Sequence, residues 1–227
     1  MADQQDAPLG PKAQDLLRLL MQREALRFGD FTLKSGRKSP YFVNTGTLHQ
    51  GADLAVFGAA YAEAIAAQVP DCTVVFGPAY KGIPLALAAA QALQAQLERP
   101  VSWAYDRKVA KTHGDGGSIV GAPLGPETSL VVVDDVLTAG TALRETLEKL
   151  QPLGVRIRAA VVAVDRQEPG LHAPSARQEI EADFGIPVFP LMSISQAVSA
   201  LVHPGLPGVP VLDQVLAQRI QDHLRRE

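Results

Sequence analysis

VVVDDVLTAGTA, residues Val131 to Ala142, runs on into LRETLEKL, Leu143 to Leu150, and this stretch decides the fold. Three consecutive β-branched apolar residues, Val131, Val132 and Val133, suit a strand buried on both faces, and such strands belong to parallel sheets covered by helices. Asp134 and Asp135 then stand where that strand is expected to end. Thr138, Ala139, Gly140 and Thr141 are small and turn-forming, and the segment after them has the apolar spacing and end charges of a helix. A strand, a short loop and a helix N-terminus make an anion site, because first-turn N–H groups lack intrahelical acceptors and the helix dipole favours negative charge. Thr138 to Ala142 is therefore a candidate phosphate cradle. Two carboxylates beside a phosphate repel it, so they address another part of the same ligand, vicinal ribose hydroxyls or a hydrated Mg2+. Taken alone, the segment equally fits aspartates that only end a strand and cap a helix.

Three further segments repeat the theme. Thr73 to Ala90, TVVFGPAYKGIPLALAAA, is again an apolar strand, a Gly/Pro turn and a helix. Gly77, Pro78 and Gly82 are expected to let backbone approach a ligand, with Lys81 a cation at the mouth of the turn. Tyr105 to Val120, YDRKVAKTHGDGGSIV, crowds Arg107, Lys108, Lys111 and His113 ahead of Gly114, Gly116 and Gly117, which predicts a mobile cationic loop able to enclose a polyanion. Phe31 to Asn44, FTLKSGRKSPYFVN, sets Lys34, Arg37 and Lys38 around Ser35-Gly36 and reads as irregular, with aromatic groups available to a ligand. Arg166 follows the apolar run Ala159 to Val164 and Asp165, so it emerges at the end of another buried strand, where α/β sheets place ligand groups. Its planar fork grips carboxylates; the plainer account is an ion pair with Asp165 or Glu168.

Composition narrows the class. With 227 residues, 47% of them hydrophobic, the chain can bury a full core as one α/β domain. A net charge of −3 gives no electrostatic footprint for nucleic acid. One cysteine, Cys72, excludes an intrachain disulfide and suits a reducing, cytoplasmic setting. Met1 to Gly10 is polar and reads as a disordered tail, and no apolar run is long enough for a transmembrane helix. Helices are expected over Pro11 to Leu26, Ala52 to Val69 and Val211 to Arg225, with strands starting near Thr73, Leu130 and Val155. His49, His172, His203 and His223 show no metal-ligand spacing.

Together, VDDVLTAGTA, FGPAYKGIP and the cationic segment resemble the type I phosphoribosyltransferase family, in particular its orotate-using branch, from about Leu16 to Leu201. The resemblance implies an α/β single-domain fold over 1–227, a mostly parallel sheet flanked by helices, with a small N-terminal hood from 28–48 over the sheet's carboxyl edge. It implies that phosphoribosyl diphosphate (PRPP) is held by Lys34, Tyr80, Lys81, Arg107, Lys108, Lys111, His113, Asp134, Asp135 and the run Val136, Leu137, Thr138, Ala139, Gly140, Thr141, Ala142. Lys111, His113, Lys81, Asp134 and Asp135 would act in catalysis, and a cis peptide would join Ala79 to Tyr80. Orotate would meet Phe42, Val43, Thr138 and Arg166, although Val43 cannot stack as an aromatic residue would. Mg2+ would be carried mainly by the substrate, with no direct side-chain ligation, and the cationic loop would reach into a neighbouring subunit of a homodimer. Two alternatives stay open from the residues: transfer to another base such as a purine, which has no need of Arg166, and a PRPP-sensing regulator without catalysis.

Overall fold

The computed structural model describes residues 7–32, 36–107, 118–202 and 204–225. The valine-rich strand is β6 (Ser129–Leu137), at the middle of a six-stranded sheet. Ahead of it in the chain come α1 (Pro11–Gln22), β1 (Leu26–Thr32), β2 (Lys38–Val43), α2 (Gly51–Gln68), β3 (Val74–Phe76), α3 (Gly82–Leu97), β4 (Ser102–Asp106) and β5 (Ile119–Gly121). After it come α4 (Thr141–Leu150), β7 (Arg156–Asp165), α5 (Ala176–Phe184), β8 (Val188–Ser193), α6 (Ile194–Leu201) and α7 (Gln214–Leu224). The sheet order is β5-β4-β3-β6-β7-β8, parallel throughout except that β5 runs antiparallel to β4 at one edge. β1 and β2 form a separate antiparallel hairpin.

Successive side chains of β6 divide between two cores, as the period of a strand requires. Val131 and Val133 face a layer built from α1, α2, α3, α6 and α7; Leu130 and Val132 face α4 and α5. Both faces are covered, so after Ser129 the strand carries no polar residue until Asp134. Turns at the carboxyl ends of β3, β4, β6 and β7 therefore converge along one edge of the sheet.

Several boundaries differ from the sequence expectation. The first helix stops at Gln22, because Glu24 takes a left-handed φ of 54° and the Ala25 N–H turns back to the Leu20 carbonyl at 2.8 Å. The segment expected to be irregular forms hairpin β1–β2, with a register shift between Phe28 and Phe31. Its pairing partner, Leu26–Thr32, lies earlier in the chain, which is why the charged, Gly- and Pro-containing half gave no strand signal of its own. β6 does not end at the aspartates: β7 supplies partners as far as Leu137, opposite Asp165. The tail is shorter than 1–10 among the described residues, since Leu9 is buried and the Ala7 carbonyl accepts a 2.9 Å bond from Gln196 on α6.

Candidate active site

Asp134 and Asp135 sit in the last turn of pleat of β6 with their side chains on opposite faces. The Asp134 Oδ1 accepts the Asp135 N–H at 2.9 Å, and its own carbonyl accepts the Tyr61 hydroxyl of α2 at 2.6 Å. Burial, followed by the neighbouring negative charge of Asp135, pushes the Asp134 carboxyl up to about 7. Asp135 is buried and takes a different environment. Its Oδ2 meets Lys81 Nζ at 2.8 Å and the Thr45 hydroxyl, and Lys81 Nζ also lies 3.3 Å from Thr45 Oγ1. A crowded pair of acids with one cation on them among the described residues is a site that favours further positive charge or hydroxyl donors.

Beyond the acids the chain does what a phosphate cradle requires. Thr138 is exposed, Gly140 adopts a φ of 82° that its lack of Cβ permits, and α4 opens at Thr141 with Arg144 N–H as donor to the Gly140 carbonyl at 2.9 Å. The N–H groups of Thr141 and Ala142 belong to the first turn, and both residues are exposed. Leu137 is a correction: its side chain is buried in the α4–α5 core and its carbonyl accepts the Arg166 N–H at 3.1 Å, so it supports the loop without facing a ligand.

The turn after β3 lies alongside. The Ala79–Tyr80 peptide is cis, Tyr80 is 69% exposed, and Lys81 caps α3. Asp106, buried at the end of β4, accepts the Ala79 N–H at 2.7 Å through Oδ1 and Lys149 of α4 at 3.0 Å through Oδ2. One carboxylate thus fixes this turn to α4, the helix that opens at the end of the 138–142 loop. Gly77 and Gly82 serve a purpose other than ligand access: a Cβ on Gly77 would fall 1.9 Å from the Gly82 carbonyl oxygen, so the two glycines are packed against each other.

Arg166 directly follows β7, the strand beside β6, and lies level with the end of β6, past the acid pair. Its guanidinium is 8% exposed as a residue, lies 5.2 Å above the Tyr41 ring, and approaches Glu168 Oε1 at 2.7 Å. The Tyr41 hydroxyl donates to the Arg166 carbonyl at 2.8 Å, and burial raises that phenol to about 12. The ion pair with Glu168, the plainer sequence account, is therefore present. It does not satisfy Arg166: Nε and Nη2 are buried without a hydrogen-bond partner among the described residues.

Not every expected residue joins this group. On β2, Tyr41 faces Arg166, so the neighbouring Phe42 points the other way, stacking on Phe31 at 5.6 Å beneath Arg27, and Val43 packs on the core. Arg107 has Nη1 buried, and it lines a cavity of about 310 Å3 with Ser118, Thr146 and Lys149, away from the aspartates. Lys34, Lys108, Lys111 and His113 lie outside the described residues. The larger cavity of about 530 Å3, between the hairpin and α7, is lined by Asp30, Lys38, Arg219 and His223 and includes none of the expected site residues.

Residues 57–186, which contain the turn after β3, the acid pair and Arg166, match the family model of the phosphoribosyl transferase domain. The orotate phosphoribosyltransferase of Pseudomonas aeruginosa is 48% identical over 188 residues, 83% of this chain and 87% of that protein. This chain belongs to the orotate phosphoribosyltransferase family. The crystal structure of the Francisella tularensis orotate phosphoribosyltransferase superposes with a TM-score of 0.78 at 33% identity, over 93% of this chain and 98% of that one. A Mycobacterium tuberculosis orotate phosphoribosyltransferase solved with PRPP gives 0.62 at 25% identity, over 82% and 99%. For an orotate phosphoribosyltransferase, the site contains four groups that had no role of their own in the sequence motifs: Thr45, Tyr61, Asp106 and Tyr41. Tyr41 and Asp106 lie inside segments whose other residues carried the signal, and Thr45 and Tyr61 lie outside every motif.

Proposed function

We propose that this chain transfers the 5-phosphoribosyl group of PRPP to N1 of orotate, giving orotidine 5′-monophosphate and diphosphate for pyrimidine nucleotide synthesis. The C1′–O bond to diphosphate breaks, the N1–C1′ bond forms and orotate N1 gives up its proton. One observation carries the choice of base: a buried arginine with two unspent donors stands one strand from the acid pair, and a carboxylate-bearing base is what such a fork accepts. A purine has no group for it.

In this reading Asp134 and Asp135 take the ribose hydroxyls and oppose positive charge growing at the ribosyl centre, as in glycoside cleavage. Exposed backbone at Thr138 to Ala142 takes the 5′-phosphate. Lys81 leaves Asp135 for the diphosphate, joined by Tyr80 and by Lys34, Arg107, Lys108, Lys111 and His113. Among the described residues no cluster of three or more His, Cys, Asp or Glu side chains could hold a metal. The mutual repulsion of the two aspartates, seen in the raised Asp134, fits Mg2+ held mainly by substrate oxygens with these carboxylates nearby. When bound, Mg2+ offsets charge on the leaving diphosphate. A cytoplasmic homodimer follows from the family resemblance, and no helix among the described residues is long and apolar enough to cross a membrane.

PRPP- and Mg2+-dependent loss of orotate absorbance, run beside adenine, hypoxanthine, xanthine and uracil, tests the proposal. Consumption of orotate alone is the expected result. Turnover of a different base would keep the PRPP site and discard Arg166, and PRPP binding without any turnover would point to a regulator.

A further inference from the structure

Glu168 occupies a peculiar position. The turn after β7 is pinned by three bonds: Gln167, at a left-handed φ of 56°, gives its N–H to Asp165 Oδ1 at 2.8 Å; its Oε1 takes the Ser195 N–H at 2.8 Å; and the Glu168 carbonyl takes the Ala176 N–H at 3.1 Å. The chain is thereby folded back so that the Glu168 carboxylate returns over Arg166, two residues behind it. There a single oxygen, Oε1, lies 2.7 Å from Arg166 Nη2 and 2.7 Å from Arg37 Nη2, at the tip of hairpin β1–β2. Neither the Glu168 oxygen nor the Arg166 donors reach hydrogen-bond geometry in these contacts. The carboxylate is near enough to hold a guanidinium by charge and aligned too poorly to consume its donors.

We infer that Glu168 is a positioning residue for the base site, holding the Arg166 guanidinium at the sheet edge and tying the hairpin to it through Arg37, while the Arg166 donors stay available to a substrate carboxylate. A buried guanidinium needs a counter-charge when no substrate is bound, and without one it abandons its pocket for water. Tyr41 supplies the flat wall against which the guanidinium lies, 5.2 Å from its ring. Glu168 supplies the charge. The partner chemistry is that of a planar base carrying one carboxylate, so this inference rests on the assignment of Arg166 to orotate.

A double-mutant cycle with Glu168→Gln and Arg166→Gln separates the two. Glutamine keeps the shape of Glu168 and removes its charge. E168Q should raise the KM for orotate about tenfold, with the KM for PRPP and kcat changed less than about twofold, because binding of one substrate alone is affected. In the R166Q background E168Q should have no further effect. An unchanged or lowered orotate KM in E168Q, with R166Q still impaired, would overturn the positioning role and leave the base site standing; so would equal and additive losses in the double variant. An R166Q protein with normal orotate KM would remove both readings together. Glu168→Asp, which withdraws the same charge by one methylene, gives the same readout should E168Q prove unstable, with a smaller rise in orotate KM expected and no rise counting against the role.

Discussion

At the scale of single residues, the acid pair shows how one motif produces two different chemical groups. Asp135 has Lys81 and Thr45 as partners, whereas Asp134, on the opposite face of β6, is half-buried and has a carboxylate for a neighbour. Its pKa, raised to about 7 by burial and then by Asp135, makes a stability prediction whose sign runs against the usual carboxylate. A free aspartate loses its proton near pH 3.9, so between that value and 7 the folded chain binds more protons than the unfolded one, and stability falls as pH rises through this window. Asp134→Asn removes the titration. Without substrate, the variant should gain on the parent between pH 5 and pH 8 by roughly 2–3 kcal/mol. Thermal melts at the two pH values decide it; a gap that does not change with pH would mean that Asp134 is ionised throughout. The same variant should lose most of its turnover, since an amide cannot oppose positive charge on the ribose.

Among the elements, legibility tracked how local each signal was. β6 and β7 announced themselves because short apolar runs rich in β-branched valine suit a doubly covered strand, and the turn chemistry at Gly140 is written in four adjacent residues. The hairpin was hidden because strand pairing between Leu26 and Val43 is not a property of either half. Tyr41 and Asp106 were hidden for the same reason: each acts on an element far away in sequence, and a lone polar residue carries no period. The glycines after β3 were located correctly but explained wrongly, as ligand clearance, where contact between Gly77 and Gly82 is the cause. Gly77→Ala tests that cause. A methyl group 1.9 Å from the Gly82 carbonyl forces α3 away from β3, so we expect a loss of about 2–4 kcal/mol in urea unfolding, with a raised KM for PRPP as Lys81 moves. Gly10→Ala, with nothing within 4 Å of the added carbon, should stay within about 0.5 kcal/mol. Equal behaviour of the two would return Gly77 to the role of ligand clearance.

For the whole molecule, the site is assembled from the edge of one sheet and a hood laid across it. Thr45 reaches Asp135, Tyr41 reaches the Arg166 carbonyl, and Arg37 reaches Glu168, so the hairpin and the segment after it touch both the acid pair and the Arg166 corner. Cationic groups that the resemblance assigns to the diphosphate, Lys111 among them, lie in a segment whose reach into a second subunit is a claim about assembly. Subunit exchange addresses it without any dimer structure. Take Lys111→Ala and Asp135→Asn, each nearly inactive by itself, and mix them in equal amounts under conditions that let subunits re-pair. If Lys111 serves its neighbour's site, half the dimers are mixed, and in each of these one site joins an intact Asp135 to an intact Lys111 from the other chain; activity should return to about a quarter of the parent level. If Lys111 serves its own site, every site in the mixture lacks one of the two groups and nothing returns. Dilution of the parent enzyme should agree with the first outcome, specific activity falling in step with the dimer as subunits separate, because a site that borrows a residue cannot outlive the pair.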